Sequence, residues 1–180
     1  YVASNGVSLF HAGDLNDWEW DGAGDLINGR VRRAFRHEIK KLSEKAIVPQ
    51  YGSELAAGAD LYAVIDGGKM EIAPSETVFV KTGIALEIPV GYAGFVYARS
   101  GMACKKGLAP ANKVGVIDAD YRGEILVALY NQSSISQIIE DGERIAQLVI
   151  TPFLRADFEE TDNLLETERG SGGFGSTGRK

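Results

Sequence analysis

The chain has 180 residues, of which 44% are apolar, with 22 Gly, 5 Pro and a formal net charge of −6. That length fits one domain with an extension better than two full domains. The acidic balance argues against a general affinity for nucleic acid, so a polyanionic ligand would need a local cluster of donors and a cation. The single cysteine, Cys104, cannot form an intramolecular disulfide, which fits a reducing, cytoplasmic setting. No apolar run approaches the roughly 18 residues that span a bilayer, and the opening YVASNGVSLF lacks the basic start and long apolar stretch of a signal peptide.

Residues 1–37 begin with a short strand-like run, Val7 to Phe10, and continue through HAGDLNDWEWDGAGD into a charged stretch. Val31, Phe35, Ile39 and Leu42 recur at helical spacing and predict a helical stripe with cationic residues on the other faces. EIKKLSEKA, at the join near residues 37–45, reads equally as the end of that helix or as the first strand of a β-rich domain. From residue 46 the pattern changes. ETVFVKTGIALEIP and YAGFVYARS are rich in Val, Ile, Phe, Tyr and Thr and are punctuated by Gly and Pro. Turn signals recur at roughly 8–12 residues, the rhythm of an all-β sandwich or barrel. VGVIDADYRGEILVALYN predicts two strands joined around Asp118–Gly123, and RIAQLVITPF another ended by Pro152. No alternation of strand and helix points to a parallel sheet. The last residues, RGSGGFGSTGRK, are too glycine-rich to bury a core.

Five stretches carry candidate chemistry. AGADLYA (57–63) puts one carboxylate, Asp60, at the start of an apolar strand, either as a turn residue or as help for a hydrated Mg²⁺. ARSGMA (98–103) sets Arg99, Ser100 and Gly101 at a strand end, where a guanidinium, a hydroxyl and backbone N–H groups can meet a phosphate. GVIDADYRGEI (115–125) carries Asp118, Asp120 and Tyr121. A carboxylate there can hold and activate a water, although an acidic β-turn has the same composition. GERIAQLVI (142–150) places Arg144 and Gln147 on a strand. RGSGGFGSTG offers Arg169, the hydroxyls of Ser176 and Thr177 and closely approaching glycine backbone, including Gly175, to an anion. Phe174, with no core to join there, suits stacking on a flat ring; an ordinary flexible tail would read the same.

The order and spacing of these five stretches resemble the five motifs of the homotrimeric dUTPase family, over residues 38–178. The resemblance implies an all-β, jelly-roll-like β-barrel. It implies a homotrimer with sites shared between subunits, and hydrolysis of dUTP to dUMP and pyrophosphate with Mg²⁺ as cofactor. It divides the chain into an N-terminal extension (1–37), a barrel domain (38–165) and a C-terminal arm (166–180) that closes over the site. Residue by residue, it implies that Asp118 activates water for attack on the α-phosphorus. Tyr121 packs on the deoxyribose and leaves no room for a 2′-hydroxyl. Asn112 and the backbone near Gly115 read uracil. Arg99, Ser100 and Gly101 hold phosphates with support from Gln147, and Arg169, Gly175, Ser176 and Thr177 grip the γ-phosphate while Phe174 stacks over the base. Asp60 belongs to the Mg²⁺ surroundings, acting through water. The sequence departs from the usual pattern only at Cys104 and the two lysines after it. The dCTP deaminases share the fold, but Tyr121 two residues past Ala119 fits the dUTPase version.

GVSLFHAGDLNDWEW resembles a piece of a metallo-β-lactamase-fold hydrolase, with His11 and Asp14 as tempting ligands. The whole chain has only two His, His11 and His37, too few for a binuclear site, so this segment reads as a remnant. Two other functions stay open on sequence grounds. One is a nucleotide-sensing or partner-binding module with residues 1–37 as its arm, and the other is a metallo-hydrolase resting on residues 8–20 alone.

Overall fold

The computed structural model describes residues 2–4, 7–9 and 38–173. Near the N-terminus β1 (Val2–Ser4) and β2 (Val7–Leu9) pair antiparallel, in keeping with the strand-like run at Val7. Val31 and Phe35 lie outside the described residues, and of the other half of the expected helical stripe Ile39 lies in a strand and Leu42 in the bend that follows it. β3 (Glu38–Lys41) pairs with β8 (Ile84–Glu87), setting Ile39 opposite Leu86, and the Leu42 amide donates to the Gly83 carbonyl at 2.7 Å. The ladder to β8 satisfies backbone groups and packs Ile39 against the core, and that outweighs a local periodicity of four residues.

The remaining strands are β4 (Gln50–Tyr51), β5 (Ala59–Tyr62), β6 (Lys69–Ile72), β7 (Thr77–Lys81), β9 (Tyr92–Ala98), β10 (Leu108–Pro110), β11 (Gly115–Ile117), β12 (Leu126–Asn131), β13 (Gln137–Glu140) and β14 (Arg144–Pro152). Every ladder is antiparallel. The largest sheet runs β11-β9-β14-β5-β4, a second runs β10-β12-β7, and β13-β6 and β3-β8 form two-stranded pieces. The two strands expected around Asp118–Gly123 exist as β11 and β12, yet they do not pair with one another. β11 joins β9 and β12 joins β7, so the segment between them crosses from one sheet to the other.

Alternation explains the core. In β12 the inward residues are Val127, Leu129 and Asn131, and they meet Leu61, Ile72, Val80, Ile84, Leu108, Ile139 and Ile145 from the other strands. Each such aliphatic side chain removed from water contributes about 1.5–3 kcal/mol. Gly83 makes the tight link between β7 and β8. Its φ is +67°, and a Cβ there would come within 2.8 Å of the Ala46 Cβ. A left-handed backbone and close packing both call for glycine.

Asn131 occupies an inward position where the pattern would suit an aliphatic residue, and it is fully buried. Its Nδ2 donates to the carbonyls of Ile72 at 2.9 Å and Ile135 at 2.8 Å, while its Oδ1 accepts from the Ser133 amide and hydroxyl at 2.9 and 2.7 Å. A single side chain thereby ties β12 to β6 and to the turn after it. Asn131→Leu replaces the amide by a branched side chain with the same number of heavy atoms and strands these partners. Urea unfolding at fixed protein concentration should show a loss of about 3 kcal/mol. A change below about 0.5 kcal/mol, the scale of ordinary surface substitutions, would show that the network contributes little.

Candidate active site

Two groups of polar residues stand out, on different parts of the fold. The first forms around the middle of the largest sheet. Asp60 on β5 is buried at 4% exposure, directly opposite Gln147 on β14. Its Oδ1 accepts from Arg99 Nε at 2.8 Å and, at 3.5 Å, from Gln147 Nε2, while its Oδ2 accepts from Arg144 Nη1 at 3.2 Å. Arg99 follows the end of β9, where a short π-helix, Met102–Lys106, begins, and it also donates to the Arg144 carbonyl at 3.4 Å. Ser100 and Gly101 are exposed at the entry to that turn.

Arg144 is the member of this cluster absent from the sequence-derived site. Arg144 and Gln147 are three apart, so a regular strand would send them to opposite faces. β14 carries an irregularity between Arg144 and Ala146: Arg144 stands opposite Tyr62, Ala146 opposite Leu61 and Gln147 opposite Asp60. The extra residue, Ile145, restores both side chains to one face and is itself buried. A Gly-Glu-Arg before an apolar run was the available signal, but the bulge is invisible in the pattern.

The second group lines a cleft of about 260 Å³ in which Asn112, Gly115, Asp118 and Tyr121 come together with Phe79, Val96 and Val116. Asn112 lies in the turn from β10 to β11. Lys113, beside it, has φ 65°, an unusual left-handed conformation for a side-chain-bearing residue. Gly115 is buried, and a Cβ on it would approach Asn112 Nδ2 and Val96 Cβ to 3.2 Å. Its lack of a side chain lets the Asn112 amide sit over the first residue of β11. Asp118 follows β11 directly and is exposed; its carbonyl accepts from the Tyr121 amide at 3.2 Å, closing a turn. Asp118 and Asp120 therefore stand in a turn, not on one face of a strand. Arg122 folds back on this turn, donating to the carbonyls of Ala119 at 2.6 Å and Tyr121 at 3.1 Å.

Asp60, Arg99, Ser100, Gly101 and Gln147 do not line this cleft, so one chain holds the two groups apart. Around the cleft, Phe79 and Val116 remain exposed, an apolar surface suited to being covered. Arg169 is exposed on its own turn, where its Nε donates to the Gly172 carbonyl at 2.8 Å. Phe174, Gly175, Ser176 and Thr177 lie outside the described residues, as do His11 and Asp14. Among the described residues, no three of His, Cys, Asp and Glu come together in a way that could hold a metal ion. Nor is any helix among them long and apolar enough to cross a membrane.

The sequence profile of the dUTPase family matches residues 44–178. A deoxyuridine 5′-triphosphate nucleotidohydrolase of Desulfitobacterium hafniense is 54% identical over 132 residues, covering 73% of this chain and 87% of its own length. Another, of a Hydrogenobaculum species, is 51% identical over 142 residues, covering 79% and 97%. Among solved structures, a Staphylococcus bacteriophage 80alpha dUTPase with dUPNHPP matches with a TM-score of 0.72 at 30% identity, covering 79% of this chain and 98% of that one.

The buried carboxylate at Asp60 yields a test that is independent of any activity. Asp60→Asn leaves Arg99 and Arg144 facing a neutral amide whose Nδ2 cannot accept. Their side chains keep 24% and 51% exposure, so water relieves part of the loss. Denaturant unfolding should register about 2 kcal/mol of destabilisation. Wild-type stability in the variant would mean that the cluster does not brace the sheet.

Proposed function

From the premise that this chain belongs to the dUTPase family and hydrolyses dUTP, we propose that Asp118 is its catalytic base and that each site is completed by residues of more than one subunit. The observation that carries this reading is the cleft that sets Asp118 beside Tyr121, Asn112 and Gly115. An exposed carboxylate lining a cleft can take a proton from a water molecule held against it. The resulting oxygen nucleophile bonds to the α-phosphorus, the bond from that phosphorus to the bridging oxygen breaks, and pyrophosphate leaves with dUMP remaining. The proton on Asp118 returns to solvent.

The base and sugar ends are read from the same cleft. The Pro110–Gly115 turn offers the Asn112 amide and backbone groups to the edge of uracil, and its narrowness disfavours a thymine methyl. Tyr121 forms the wall toward the deoxyribose. Arg99, Ser100 and Gly101 supply donors for the phosphates, with Gln147 and Asp60 fixing the Arg99 guanidinium. Arg169, Gly175, Ser176 and Thr177 of the arm would close on the γ-phosphate and Phe174 on the base.

The donor set fits Mg²⁺ as an ion carried by the triphosphate, with Asp60 reaching it only through water, since Arg99 and Arg144 already occupy the carboxylate. Bound there, Mg²⁺ would offset charge on the phosphate oxygens and the departing pyrophosphate.

A homotrimer accounts for the separation of the two polar groups and for the exposed surface. Along 153–173 the chain has no strand partner among the described residues and exposes Leu154, Phe158, Leu164 and Leu165, which suits an arm lying on another subunit. In this reading the sheets of residues 38–165 form a jelly-roll-like barrel in a cytoplasmic enzyme, and residues 1–37 are an attached remnant.

Purified protein with Mg²⁺ should release pyrophosphate from dUTP and little from dTTP, dCTP or UTP. Asp118→Asn should lower kcat by about 10²–10⁴-fold while leaving the affinity for a non-hydrolysable dUTP analogue nearly unchanged. Equal release from all four nucleotides, or a fully active variant, would sink the assignment. Shared sites make a separate forecast. Arg99→Ala and Asp118→Asn subunits, each inactive alone, should regain part of the activity when refolded together. Mixtures no more active than either parent would place each site within one chain.

A further inference from the structure

The ring of Tyr121 rests on Gly123. A Cβ on Gly123 would overlap Tyr121 Oη and stand 2.6 Å from Cζ and 2.9 Å from Cε2. Side-chain atoms do not approach that closely, so a residue with a Cβ at 123 and the ring in its place exclude one another. The backbone of Gly123 is not left-handed, unlike Gly83 with φ +67°. The position therefore needs glycine for the space it leaves to Tyr121.

The hydroxyl end of the ring is also held. Tyr121 Oη donates to the Glu124 carbonyl at 2.9 Å. Glu124 is fixed in turn, its Oε1 accepting from the Gly83 amide at 2.8 Å. The next residue is pinned to the core edge: the Ile125 amide donates to the Ile84 carbonyl at 2.9 Å, and its carbonyl accepts from Thr82 Oγ1 at 2.6 Å. Tyr121 is 46% exposed and lines the cleft. One edge is thus seated on Gly123 and tied to Glu124, while the residue as a whole stays exposed at the cleft.

We propose that Gly123 is a positioning residue for substrate selection: by leaving room beneath the phenol it sets how closely the Tyr121 ring approaches the sugar, and so how strictly a 2′-hydroxyl is refused. The proposal rests on the reading of Tyr121 as the deoxyribose wall. A methyl at 123 lifts the ring from its seat and breaks the bond to Glu124, and the wall then no longer stands at a fixed distance from the sugar.

The test is the ratio of kcat/KM for dUTP to that for UTP, in Gly123→Ala, Tyr121→Ala and the double variant. Gly123→Ala should lower the ratio at least about tenfold, with Tyr121→Phe, which keeps the ring and loses the hydrogen bond, falling between it and wild type. In the Tyr121→Ala background, Gly123→Ala should change the ratio no further, because the group it displaces is gone. If Gly123→Ala leaves the ratio unchanged, or adds its full effect in the double variant, the positioning role is overturned and Tyr121 keeps its own. If Tyr121→Ala itself leaves the ratio unchanged, the wall reading fails and takes this inference with it. Should Gly123→Ala be too unstable to assay, Tyr121→Ala must restore its stability; a double variant that is equally unstable overturns the proposal.

Discussion

The structure depends on β14 lying in the interior of the largest sheet, paired on both sides. Nine residues long, it pairs with β9 from Ala146 to Pro152 and with β5 from Arg144 to Leu148. These two ladders bring the end of β9, the start of β5 and the first half of β14 to one place. The Asp60 cluster forms there because three strands converge on it, not because its members are close in sequence. Asp60 is 39 residues from Arg99 and 84 from Arg144. A carboxylate this buried is tolerated only when its oxygens are paired, and two guanidiniums meet that need while being held in fixed directions themselves.

The bulge between Arg144 and Ala146 is part of the same arrangement. It lets adjacent Ile145 and Ala146 both lie in the core while Arg144 and Gln147 share the polar side. A regular strand would satisfy only one of these demands. The irregularity is thus what permits a polar cluster to sit at the edge of an aliphatic core.

The segment from Asp118 to Ile125 solves a different problem. It crosses from the β11-β9 sheet to the β12-β7 sheet, and its bonds are local or made to the β7–β8 turn and to Ile84 and Glu87 of β8. Asp118 and Tyr121 consequently ride on a loop anchored at both ends, both exposed at the cleft, with the Tyr121 hydroxyl held by the Glu124 carbonyl. The anchors are buried or half-buried groups, including Thr82 and Glu124, so the loop is shaped by the core although it lies on the surface. Apolar surface remains exposed around it, at Phe79 and Val116.

The amino-acid sequence by itself determined the β-rich character, through the alternation in stretches such as LVALYN, and the positions of most strands. It also determined the family, through five short motifs in order, and thereby the residues Asp118, Tyr121, Asn112 and Gly115 that the fold gathers into one cleft. Local patterns did not decide between helix and strand for 38–41, because four residues carry too little periodicity until β8 offers a ladder. They did not show that β11 and β12 lie in different sheets, since a short polar link suits a hairpin and a crossing equally. Arg144 escaped because a bulge changes which face a side chain takes, and Gly123 because its role is defined by a ring two residues away. Those outcomes rest on long-range hydrogen bonding and packing, which fix direction and distance between residues that the sequence only places in order.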